Sequence, residues 1–409
     1  MDPIVWEWIG AAIRWLHVIA GVAWIGSSFY FVHLDSSLKP RDGLPQGAYG
    51  EAWQVHGGGF YHMVKYLVAP ANMPDELTWF KWEAYATWLS GFALLAFVYY
   101  FSAQLYLIDS TVLPLETWEA IALSAGSLVL GWAVYDLLCR SPLGRSDNLL
   151  ALFGFGFVVA MAFGFTLVFS ARGAFMQAGA LMGTIMACNV FMIIIPNQRK
   201  VVAALMRGEA PDPRYGRIGK QRSMHNNYIT LPTVFVMIAN HYPLVYGAAL
   251  SWLILAVLIV VGVSIRHFFN TIHKGQRAPW GAWFIVFICA LLILTINRLT
   301  PAEPAAEHSG LLPAPAMASA PVSLANAADI VISRCSMCHT REPVWEGLHA
   351  TPKGVLLDTP ERVAAHADQI FLASVWTHAM PPSNITDMTL EERRNLARWF
   401  EDHKAGVAN

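Results

Sequence analysis

Long apolar runs alternate with short polar connections over the first three quarters of the chain. Eight such runs, near 9–33, 84–107, 117–138, 148–170, 176–196, 228–247, 248–266 and 279–299, reach about the 20 residues that cross a hydrocarbon layer as a helix. The first is too long for a signal peptide, no basic segment precedes it and no small-x-small cleavage site follows it cleanly, so it is expected to stay in the mature protein. Residues 1–299 thus predict a membrane domain. Residues 300–326 are rich in Ala and Pro and read as a semi-extended linker. From 327 to 409 the pattern turns polar and predicts a small helical domain, whose last helix is signalled by the capping box at Thr389 and Glu392 and by Leu396, Trp399 and Phe400 at helical spacing. The expected fold class is all-α: a polytopic bundle of eight transmembrane helices followed by a small helical domain.

Composition sharpens this picture. The 409 residues are 56% hydrophobic and 13% charged, with a mean hydropathy of +0.43, against about 25% charged residues in soluble domains; a soluble globular protein is excluded and membrane lipid is an expected partner. A net charge of -1 gives no reason to expect a nucleic acid partner. The connections at 34–83, 139–147, 197–227 and 266–278 hold 16 Lys and Arg, whereas the alternate set holds only Arg172. Basic residues stay on the cytoplasmic side, so both termini are expected in the periplasm of a bacterial inner membrane. Cys139, Cys188 and Cys289 lie in or beside apolar runs and read as small hydrophobic residues.

The remaining cysteines carry chemistry. Cys335-Ser336-Met337-Cys338-His339 is a C-x-x-C-H sequence, in which two thiols add to haem vinyl groups and the imidazole takes one axial position on iron. A domain of about 80 residues is marginal on its own core, and a covalent haem c would staple it. The sixth ligand is expected at Met380, in the loop Ala379-Met380-Pro381-Pro382, with His378 and Met388 as alternatives. The segment resembles a class I cytochrome c.

Ionisable groups inside a bilayer are functional candidates. His17 lies about 12 Å and His241 about 9 Å below the outer ends of their predicted helices, at about 1.5 Å per residue. These matched depths suggest a haem b between the two, against the alternative of two hydrogen-bonded core histidines. His33, His56, His62, His225, His267 and His273 gather on the cytoplasmic side, where His33 and His267 are candidates for a second metal site.

Trp6-Glu7-Trp8-Ile9-Gly10, Arg14-Trp15-Leu16-His17-Val18, Gly21-Val22-Ala23-Trp24-Ile25-Gly26 and Trp53-Gln54-Val55-His56-Gly57-Gly58-Gly59-Phe60-Tyr61-His62, together with the eight-run and C-x-x-C-H layout, make the whole chain similar to the integral-membrane urate oxidase family. The resemblance implies oxidation of urate to 5-hydroxyisourate, with electrons passing to the fused cytochrome c and on to a terminal oxidase or soluble cytochrome. Urate is a planar anion with donors and acceptors around its rim, so its site should combine an Arg, an amide, an aromatic face and a base. Arg222, Asn226, Asn227 and Thr230 beside His225, and His56 and His62 in the aromatic segment, supply these types; His62 or His225 is the expected base. If urate binds on the cytoplasmic side, electrons must cross most of a layer about 30 Å thick and need an intermediate redox group. If it binds near Arg14, His17 and His241, they do not. The alternative function is a quinol:cytochrome c oxidoreductase.

Overall fold

The computed structural model describes residues 2–66, 70, 73–299, 322–345, 348 and 350–406. Helix α1 (Pro3–Ser37) opens on Asp2, whose carboxylate accepts from the Ile4 and Val5 amides at 2.7 and 3.3 Å, satisfying two otherwise free helix-start donors. Then follow α2 (Trp82–Leu94), α3 (Thr117–Arg140), α4 (Asp147–Thr166), α5 (Ala171–Cys188), α6 (Ile195–Met206), α7 (Pro213–Ala239), α8 (Ser251–His273) and α9 (Gly281–Leu299). Among the described residues, six helices are long and apolar enough to cross a membrane: Ile4–Ser37, Thr117–Arg140, Asp147–Thr166, Ala171–Met206, Ser251–His273 and Gly281–Leu299. Many of their large apolar side chains point outward, among them Trp15, Trp118, Phe284 and Phe287, the reverse of what a water-facing surface selects.

The other two predicted runs depart from a single apolar helix. In the run at 84–107, α2 passes into a π-helical turn at Leu95–Tyr100 and a short helix at Ala103–Tyr106. The run at 228–247 begins in the middle of α7, which starts 15 residues earlier with a polar segment and ends at Ala239; Pro243 opens a separate turn, Pro243–Tyr246. Conversely, α8 continues seven residues past the predicted end at 266, drawing Arg266, His267, Asn270 and His273 into helical register.

The all-α expectation also needs correction. Strands β1 (Ala48–His56) and β2 (Gly59–Tyr66) form an antiparallel hairpin, pairing Trp53 with His62 and Val55 with Phe60. Its turn is made by Gly57 and Gly58 at φ +61° and +80°, the left-handed backbone that favours glycine in tight hairpins. Glu51 holds the hairpin with Arg41 at 3.1 Å and His62 at 2.7 Å, while Lys65 and Asp35, at 2.6 Å, and Tyr30 and Gln54, at 2.6 Å, join it to α1.

The bundle core centres on α5, where Leu181, Met182 and Ile185 keep 1% exposure or less. Glycines bring the helices together: a Cβ on Gly131 would stand 2.4 Å from Leu181, and one on Gly262 of α8 would stand 2.5 Å from the ring of Pro232 inside α7.

Residues 300–321 of the expected linker lie outside the described residues. Ser323 caps α10 (Leu324–Cys335), and α11 (Leu390–Lys404) begins with the expected capping box, Thr389 and Glu392 each bonding the other's amide. Between them Pro360–Ala365, Ala367–Ile370 and a π-helical turn at Phe371–Trp376 complete a separate core around Val331, Val363, Leu396 and Trp399. This unit is seated on the bundle. Ser383 Oγ donates to the Leu105 carbonyl at 3.1 Å, Gly247 lies so close to the Thr377 carbonyl that a Cβ would stand 2.6 Å from it, and Ala379 packs on the bundle core. Both receiving turns belong to the connections poor in Lys and Arg.

Candidate functional site

Helix α7 starts at Asp212, whose carboxylate accepts from the Arg214 amide at 2.8 Å, with Pro213 in the first turn. That start puts the run from Arg222 to Thr230 in regular helix, so Arg222 and Asn226 share one face. On that face Arg222 is buried and donates to Asp136 at 2.6 Å and Asn189 at 3.2 Å; its guanidinium lies 5.1 Å from the Tyr135 ring centre. Asp136 also takes Arg140, at 2.6 Å. Asn189 belongs to the π-helical turn Asn189–Ile194 between α5 and α6 and donates to Tyr135 at 3.0 Å and Asn226 at 2.9 Å; Asn226 in turn donates to the Met186 carbonyl. The Tyr135 hydroxyl meets His225 Nδ1 at 2.7 Å. Thr230 donates back to the Asn226 carbonyl within its own helix. Of the expected substrate ligands, then, Arg222, Asn226 and Thr230 are engaged by the protein itself.

The opposite side of α7 differs. Asn227 Oδ1 accepts from Arg266 Nε at 3.0 Å and from Asn270 Nδ2 at 2.8 Å, both on α8. Arg266 lies 3.7 Å over the Phe29 ring of α1. The Tyr228 hydroxyl meets His267 Nδ1 at 3.2 Å, and His33 stands beside His273, ring centres 4.9 Å apart. The structure therefore pairs His33 with His273 and places His267 against Tyr228. Sequence reasoning missed Arg266 and Asn270, and gave His273 no partner, because all three were assigned to a connection; their spacing of four and three residues was the available signal.

A cleft of about 1840 Å³ opens between α3, α4, α7 and α8. Phe155, Val158 and Ile259 line its apolar part, and Tyr135, His225 and His267 its polar part. His62 and His56 lie on the hairpin. His62 is stacked on Trp53 at 4.3 Å and bonded to Glu51, and neither histidine shares a hydrogen bond or ring contact with the α7 residues. The Glu51 carboxyl is held below the usual carboxylate range, first by its hydrogen bond from His62 and also by the charge of Arg41.

For the expected haem b the fit is incomplete. His17 Nδ1 meets the Thr87 carbonyl and Ser90 Oγ, both at 3.1 Å, which leaves Nε2 without a partner, as on metal-binding histidines. The ring packs on α2 where a Cβ on Gly91 would stand 2.9 Å away. His241 is exposed in the turn beyond the end of α7, and the two histidines share no contact.

For haem c the residues fit. His339 Nδ1 meets the Val355 carbonyl at 2.9 Å, which fixes the tautomer and frees Nε2. Burial within the unit pushes the Cys335 thiol up to about 12 and raises that of Cys338. Trp399 Nε1 is a buried donor without a partner inside the same unit. The Met380 loop is held by Arg393, which donates to the Met380 carbonyl at 2.9 Å, to Asn384 at 3.0 Å and to the Ser374 carbonyl. Burial, and then the Arg393 charge, pulls the His378 imidazole down to about 4, which keeps it neutral. Met388 is buried in the core of the unit.

A family model described as urate oxidase N-terminal matches residues 3–297. No curated protein and no solved structure matches the chain.

Proposed function

The chain belongs to the urate oxidase N-terminal family, and from that membership we propose that it oxidises urate to 5-hydroxyisourate in a bacterial inner membrane, with the C-terminal unit as a cytochrome c that takes the electrons. The urate monoanion gives up two electrons and one proton, and water then adds to the electrophilic purine. The observation that carries this reading is the family match over the whole helical bundle, whose α7 and α8 bring arginines, amides, histidines and tyrosines together at one end.

In the C-terminal unit Cys335 and Cys338 would anchor a haem c covalently, and His339 and Met380 would hold its iron. When bound, that group supplies a one-electron acceptor. Arg393 holds the loop bearing Met380, and the Ser383 and Thr377 contacts seat the unit on the bundle. The reading places all eight apolar runs across the membrane, with both termini periplasmic and electrons passing on to a terminal oxidase or soluble cytochrome.

His267 lies about 24 Å along α8 from its start at Ser251, at about 1.5 Å per residue, so the polar end of the bundle is remote from the seated unit. A second one-electron carrier inside the bundle belongs to this reading. His17, with Nε2 unpartnered, would be one residue able to hold it, while its expected partner His241 stands apart. His17→Ala should leave haem c attached but block its reduction by urate; reduction at the wild-type rate would remove His17 from the route.

The cleft with its apolar wall favours a second reading, quinol oxidation. Anaerobic addition of urate to the purified full chain, with excess soluble cytochrome c as a sink, separates the two. We expect two electrons per urate and, in air, no stoichiometric hydrogen peroxide. Reduction by a quinol analogue but not by urate would overturn the urate reading.

A further inference from the structure

On the Arg222 side of α7 a carboxylate is at hand: Asp136 lies 2.6 Å from Arg222, although it also serves Arg140 and Arg222 Nε keeps no partner. The Asn227 side has no carboxylate partner among the described residues. Asn227, Arg266 and Asn270 are each more than nine-tenths buried. Asn227 Oδ1 accepts from both α8 residues, which fixes the orientation of all three groups. What remains unpartnered is Asn227 Nδ2, Arg266 Nη2 and Asn270 Oδ1: two donors and one acceptor around a single hub. One turn on, His273 Nδ1 is also without a partner. Buried polar atoms are nearly always hydrogen-bonded, so a cluster of exceptions around one hub asks for a partner, whether water or ligand. Among the described residues Arg266 forms no salt bridge, so its charge is uncompensated as well.

Resting on the urate oxidase reading, we propose that the substrate binds between α1, α7 and α8 against Asn227, Arg266 and Asn270. The unpaired groups specify its chemistry. Two donors and a positive charge call for an anion with carbonyl oxygens, and the Asn270 oxygen calls for an N–H beside them. Phosphate and carboxylates lack that N–H, whereas an edge of the urate anion carries both. Phe29, stacked under Arg266 at 3.7 Å, lends the site an aromatic wall for a planar ring. His273 Nδ1 is placed to take the proton that leaves urate with its two electrons. This assigns recognition to residues that a positive-inside reading treats as mere topology signals.

The test is equilibrium dialysis of labelled urate against the full chain reduced with dithionite, which can accept no electrons and so binds without turnover. Wild-type protein should bind urate, with competition from xanthine and none from phosphate or acetate. Arg266→Gln and Asn270→Asp should each weaken binding at least tenfold, with haem c content and elution volume unchanged. Either variant alone suffices should the other not fold. Wild-type binding with unweakened variants would overturn this site while leaving the urate reading standing. Wild-type protein that neither binds urate nor is reduced by it would overturn both.

Discussion

Single side chains decide whether the C-terminal unit can hold the proposed haem. Two thiols three residues apart and an imidazole whose Nδ1 is held by the Val355 carbonyl can serve a haem only together. Cys335→Ala or Cys338→Ala should therefore abolish haem staining of the denatured chain, and a stain that survives in both variants would refute covalent attachment. Met380→Ala should keep the stain but lower the reduction potential; an unchanged spectrum would pass the ligand role to His378. At the other end, Glu51 is a pH-sensitive latch. Its carboxyl titrates below the ordinary range because His62 and Arg41 favour the charged form. Its contribution to the hairpin is thus present above the ordinary carboxylate value and lost as pH falls through the lowered one. Amide exchange in β1 and β2 should speed up in that acid window, and Glu51→Gln should flatten the response; a wild-type profile indifferent to pH would show that the latch is idle.

At the scale of whole elements, close helix contacts matter most. Pro232 leaves the Tyr228 carbonyl without its helical amide, and its ring fits against α8 only because residue 262 has no side chain. Gly262→Ala should cost about 1–3 kcal/mol, as overpacking does, visible as a lower melting temperature in detergent; an unshifted transition would mean that α7 and α8 yield freely. This contact was invisible in the sequence, where Gly262 is one small residue in an apolar run. Hydropathy located the long apolar helices and the capping box of α11 because burial and end-capping are local properties. It misplaced the ends of α7 and α8, since a helix continues past its apolar part wherever neighbouring helices satisfy its polar side chains, as Asn227 does for Arg266 and Asn270. The hairpin escaped hydropathy for a related reason: its strands are too short and polar to register as an apolar run, and the signal lay in the glycine turn at Gly57 and Gly58 flanked by Trp53, Val55 and Phe60. The types of residue in the site were legible. Their sorting into a group at Arg222 with a carboxylate partner and a group at Arg266 without one among the described residues was not, because pairing with Asp136 joins residues 86 positions apart.

For the molecule as a whole, the telling feature is where the C-terminal unit sits. Ser383 on Leu105 and Thr377 against Gly247 would join the proposed acceptor to the very chain that feeds it. An acceptor arriving by diffusion is reduced in a second-order process, faster when concentrated and, for charged partners, sensitive to salt. An acceptor already seated on its donor is reduced in a first-order process. Hundredfold dilution of the purified protein at saturating urate should therefore leave the rate constant for haem c reduction unchanged, as should raised ionic strength, while transfer to an added soluble cytochrome should slow with both. A rate constant that fell in proportion to dilution would mean that each molecule's haem is reduced by a neighbour and that the seat serves only as a resting place.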